Sequence, residues 1–175
     1  TYTTSTGHVS HSGAYFDPGM QYGNNWDKFT ELSKDQILEE IDKPWSGSGT
    51  KVVKFHELGV YENLQHVVTN FPEDRIMFVY KDDDESLDWW LRCGGFDIWY
   101  PDYKWYTDES RMLERIKIQN QGILKFTKEH DITLEPFTNE WLLKNVPTAS
   151  QTLIDEQSDT LKEFPLVTVA MYTPE

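Results

Sequence analysis

The stretch that most constrains this chain is Ile76-Met77-Phe78-Val79-Tyr80, an unbroken apolar and aromatic run set between Arg75 and Lys81. Apolar side chains at odd and even positions alike suit a strand buried on both faces, the environment of a parallel sheet covered by helices. The charges at each end limit its length. Asp82-Asp83-Asp84-Glu85 follows directly and reads as the start of a helix, where carboxylates meet the positive end of the helix dipole.

The flanking sequence supplies partners for such a strand. Pro44 and Ser46-Gly47-Ser48-Gly49 end one element and precede Lys51-Val52-Val53-Lys54-Phe55, whose β-branched pair favours a second strand. Between the two, Leu58, Tyr61, Leu64, Val67, Val68 and Phe71 recur at helical spacing. Strand, helix and strand together predict a right-handed βαβ unit.

Elsewhere, Ser33 and Gln36 form a capping box ahead of Ile37, Leu38 and Ile41. Asp108 opens the longest helix, with Met112, Leu113, Ile116, Ile123 and Leu124 on one side and His130-Asp131 at its end. A helix over Leu87 to Leu91 ends at Gly94-Gly95. Ile132-Thr133-Leu134 reads as a short strand, Trp141-Leu142-Leu143 as a short helix, Leu153 to Phe164 as a final helix or helical turn, and Leu166 to Tyr172 as a last strand. Residues Thr1 to Asn25, rich in Thr, Ser, Gly and His, read as loop. The predicted fold is a three-layer α/β sandwich with a mainly parallel sheet, in which ligands meet the carboxyl ends of strands, here Phe55 and Tyr80.

Composition narrows the function classes. A length of 175 residues suits one domain over 1–175. Sixteen basic against thirty acidic residues give a net charge of −14, the wrong sign for general nucleic-acid coating. Apolar runs stay far below the ~18 residues of a membrane span. A single cysteine, Cys93, excludes an intrachain disulfide and a cysteine-based zinc site, which points to the cytoplasm. The chain opens on Thr1 rather than Met, and its first residues lack the pattern of a signal peptide, so the expectation is a processed or missing start.

For chemistry, strand alternation sets Lys54 and His56 on one side, about 6 to 7 Å apart along the chain. With Lys51 to Leu58, the helix after them and Arg75 to Lys81, the region 51–90 resembles the sulfotransferase-like P-loop family, with a more general likeness to P-loop-like proteins of large tailed phages. The resemblance implies sulfuryl transfer from 3'-phosphoadenosine 5'-phosphosulfate to a hydroxyl or amine of a small-molecule or saccharide acceptor, without a metal. It implies His56 as the base that takes the acceptor's proton and Lys54 as an electrostatic helper, roles that suit an imidazole titrating near neutrality and an ammonium. Lys81 takes the place of the basic residue that binds the cofactor's 3'-phosphate. Eight positions on stands Trp89, where the family has a Ser, with Ser86 nearby. The family's first strand and phosphate loop have no counterpart before Lys51.

Two other readings use other residues. A P-loop nucleotide or nucleoside kinase would hold Mg²⁺ through Asp82 or Asp83. A non-catalytic interaction or assembly protein would use the aromatic loop of Phe96, Trp99, Tyr100, Tyr103, Trp105 and Tyr106 as its contact surface. His8 and His11 are three apart, but the glycines and serines around them argue against the helix a metal pair would need.

Overall fold

Helices dominate the described residues, and the three-stranded sheet among them is antiparallel. The computed structural model describes residues 14–15, 26–42, 53–92, 95–97, 107–146, 149–152 and 167–174. The elements are β1 (Ala14–Tyr15), a helical turn at Trp26–Glu31, α1 (Lys34–Asp42), β2 (Val53–Lys54), a 3-10 turn (His56–Gly59), α2 (Tyr61–Asn70), β3 (Ile76–Tyr80), α3 (Asp83–Arg92), a short turn at Gly95–Asp97, α4 (Glu109–Glu129), β4 (Glu135–Pro136), α5 (Asn139–Asn145) and β5 (Thr168–Tyr172). The expected helix over Leu153 to Phe164 lies outside the described residues.

The predicted three-layer sandwich with a mainly parallel sheet, and with it the P-loop architecture, is overturned. β3 pairs antiparallel with β5 over five rungs, from Ile76 opposite Tyr172 to Tyr80 opposite Thr168, and β4 joins the far side of β5, giving the order β3-β5-β4. The only parallel pairing among the described residues is Ala14-Tyr15 with Val53-Lys54. α2 therefore links strands of two separate sheets and closes no βαβ unit. The reason is visible in β2: immediately after Lys54 the chain coils into the 3-10 turn, while Phe55 packs against Phe29 with ring centroids 4.7 Å apart.

The apolar run also behaves differently from a strand covered on both faces. Ile76 and Phe78 are buried, whereas Met77 is 38% and Val79 59% exposed. One face of β3 joins Leu64 of α2, Ile123 and Phe126 of α4 and Ala170 of β5 in the main core. A smaller core gathers Phe29 and Ile37 with Leu32, Ile41, Phe55 and Phe71, and Val67 packs against both clusters.

Local signals place most helices. The Ser33 amide donates to Gln36 Oε1 (2.9 Å) and the Gln36 amide to Ser33 Oγ (3.3 Å), the reciprocal capping box. Asp108 caps α4 by accepting from the Arg111 amide (3.0 Å), and Thr138 caps α5 by accepting from the Trp141 amide (3.1 Å). Gly95, at φ +46°, follows α3. The strand expected at Ile132–Leu134 forms later, at Glu135–Pro136; Ile132 and Leu134 are half-buried against the main core instead.

α4 is the element on which the rest is mounted, contacting α2, α3, β3 and the 3-10 turn. The turn comes unusually close. A Cβ at Gly122 would lie 2.1 Å from the Gly59 carbonyl oxygen and 2.6 Å from the Tyr61 amide nitrogen, and one at Gly59 would lie 2.9 Å from Gln119 Cβ. A helix-interior glycine costs about 1 kcal/mol relative to alanine, and here it is the residue that lets two backbones touch. Among the described residues no helix is long and apolar enough to cross a membrane.

Candidate functional site

Three arrangements around β3 and α4 bring polar or exposed groups together. The first lies where β3 gives way to α3. The Lys81 carbonyl accepts from Ser86 Oγ (3.0 Å) and from Asn120 Nδ2 (2.9 Å), and the same Asn120 amide nitrogen donates to Asp83 Oδ1 (2.7 Å). The Ser86 amide donates to the Asp82 carbonyl (2.8 Å). Asn120 is buried in the middle of α4, so this network fastens the first turn of α3 to that helix.

Lys81 and Ser86 are thus brought together, but through the Lys81 backbone. The Lys81 ammonium stands over the Trp89 ring at 5.3 Å, which the Arg92 guanidinium also approaches at 5.2 Å, a pair of cation–π contacts. Of the acids expected to hold Mg²⁺ in the kinase reading, Asp83 accepts from Asn120 and Asp82 from the Tyr80 hydroxyl (3.4 Å). Partial burial, then the charge and hydrogen bond of Asp82, push the Tyr80 phenol above its ordinary value and keep it a donor. No group of three or more His, Cys, Asp or Glu among the described residues is arranged to hold a metal ion.

The second arrangement is a buried charge that the sequence reading passed over. Glu57, one residue after His56, is only 2% exposed. Its Oε1 accepts from Gln119 Nε2 and from Arg115 Nε (3.2 Å), its Oε2 meets the Arg115 guanidinium as a charge contact without hydrogen-bond geometry, and its carbonyl accepts from Asn63 Nδ2 (2.9 Å). A carboxylate taken out of water needs such partners. Desolvation lowers the Arg115 pKa from its ordinary value. Together with the Gly59–Gly122 approach, the cluster clamps the 3-10 turn onto α4. The signal in the sequence was a lone Glu between Phe55 and Leu58, which pack against the two cores.

The side chains of Lys54 and His56, the expected helper and base, lie outside what is described, as do His8, His11, Cys93 and the aromatic loop from residue 98 to 106. Phe96 at its start is half-buried edge-on to Trp90, with centroids 4.7 Å apart.

The third arrangement is the edge of the sheet. β3 is bonded on one side to β5 and has no strand on its other side among the described residues. It is five residues long, contains no proline, and carries Met77 and Val79 on its exposed face. Edge strands present a row of unpaired amides and carbonyls that invite another strand, and proteins ordinarily blunt them by shortness, proline or charge. Here the charges lie just beyond the strand: Glu73, Asp74 and Arg75 before it, Asp82 and Asp84 after it, all exposed.

Comparison with family models, curated proteins and solved structures finds no match to this chain.

Proposed function

We propose that this chain is a protein-binding module that takes up an extended segment of a partner along the outer edge of β3. The observation that carries the reading is that β3, five residues long and free of proline, has no strand on its second side among the described residues, while Met77 and Val79 are 38% and 59% exposed on one of its faces. Strand addition of this kind draws its affinity from main-chain hydrogen bonds and its specificity from alternate side chains. The chain's strongly acidic balance, and β3 packed against α4, suit a recognition surface mounted on that helix. The sulfuryl-transfer reading drew on a parallel sheet, and its loss leaves the Lys54-Phe55-His56 stretch without the scaffold that gave it a role.

The test is a panel of peptides that alternate Val and Thr, measured by fluorescence anisotropy, with amide hydrogen exchange followed at residues 76–80. Binding that slows exchange in β3, and that is abolished when alternate peptide amides are N-methylated, is the expected result. His56→Ala should leave that binding unchanged. N-methylated peptides binding as well as their parents, with β3 amides unaltered, would sink the proposal.

A further inference from the structure

The residues that bracket β3 decide which segment its edge accepts. Consider first a second copy of this chain. Antiparallel self-pairing centred on Phe78 sets Ile76 opposite Tyr80 of the second copy, Arg75 opposite Lys81 and Asp74 opposite Asp82. Every charged rung then places like on like. Parallel pairing in register does the same by identity. Like charges directly opposite each other destabilise a strand pair, so this edge, which has no strand beside it among the described residues, is set against its own kind in both full-length registers.

The same sign pattern describes what fits. Asp74 and Asp82 stand just outside the two ends of β3, with Glu73 and Asp84 beyond them, all exposed. Of the two intervening cations, Lys81 has its ammonium held over the Trp89 ring, which leaves Arg75 as the exposed positive charge at the strand's start. We infer that the partner of the β3 edge is an extended protein segment with apolar side chains at alternate positions and a cationic residue at each end, placed opposite Asp74 and Asp82. The inference rests on the edge-binding reading and adds the charge of the partner to it. Charges at the rim of such a contact steer encounter and set register more than they add raw affinity.

The experiment uses the whole chain and peptides that span positions 74–82, alternating Val and Thr inside and ending on both sides in Lys, in Gln or in Glu. The Lys-ended peptide should bind about fivefold tighter than the Gln-ended one at low ionic strength, as two exposed charge pairs allow. The Glu-ended peptide should bind weakest. The gap should close as added salt shortens the screening length, and close equally in the double variant Asp74→Asn, Asp82→Asn. Equal affinity of Lys- and Gln-ended peptides, both slowing β3 amide exchange, would overturn the charge inference while leaving edge binding intact. Lys-ended binding that leaves β3 exchange unaltered would overturn both, because the peptide would then be attached by charge away from the edge. A dimer of the chain alone, with β3 amides protected, would contradict the exclusion of self-pairing.

Discussion

Among the described residues the sheet has two edges, and they are built on opposite principles. At one, β4 is two residues long, Glu135 and Pro136, both exposed; the proline has no amide to offer and the glutamate presents charge. At the other, β3 runs five residues with an apolar outer face and keeps its charges beyond the strand ends. A protein that needed only to keep its sheet from aggregating would treat both edges alike. The contrast is what directs the functional reading to β3.

The largest test of that contrast removes what holds β3 in place. Phe78 is buried beneath the strand, its ring 5.5 Å from that of Phe126, and Phe78→Ala should cost about 3–5 kcal/mol in denaturant unfolding. Val79→Thr on the outer face and Glu135→Ala at the other edge should each stay within about 0.5 kcal/mol. Similar losses at all three positions would show that the two edges, and the two faces of β3, are not distinct.

A middle-sized effect belongs to the support under the strand. In Gly122→Ala the added methyl meets the Gly59 carbonyl, backbone against backbone, so overpacking should cost about 1–3 kcal/mol despite alanine's better helix propensity. A neutral or stabilising Gly122→Ala would mean that the 3-10 turn is not pressed onto α4.

The smallest effect is the pH dependence of the start of α4. Hydrogen bonds from the Arg111 amide and then the Thr107 hydroxyl hold the Asp108 carboxyl below its usual range. A depressed folded-state pKa contributes stability above the unfolded value and loses it as pH falls through the folded value. Wild type should therefore shed a small increment of stability on acidification below about pH 4, measured as the shift in denaturation midpoint, and Asp108→Asn should reduce that increment. An acid limb unchanged by Asp108→Asn would remove the cap from the account.

What was legible in the sequence was local. The Ser33–Gln36 capping box, the α2 stripe, the span of α4 from its Asp108 cap to His130, and the late strand at Thr168–Tyr172 each rest on signals within a few residues. Strand partnership was not local: β3 and β5 lie some ninety residues apart, and an apolar run looks the same whether its second face is covered by helices or open to solvent. The parallel-sheet reading followed from that ambiguity. Glu57 escaped notice because its partners, Arg115 and Gln119, come from α4, and Gly122 because its reason is a carbonyl on another element. Of the cofactor residues expected, Lys81 and Ser86 do meet, through a carbonyl that composition could not foretell.

The place of β5 between its two neighbours has a consequence for synthesis. β3 is made before β5, and the strand that completes its inner side comes 88 residues after Tyr80. At the usual pace of translation that interval is on the order of five to twenty seconds. Throughout it, Ile76 to Tyr80 is a nascent apolar segment with neither edge satisfied, a length of chain prone to cross-β association. Glu73, Asp74 and the four acids from Asp82 to Glu85 flank it as gatekeeper residues do, setting like charges against identical segments.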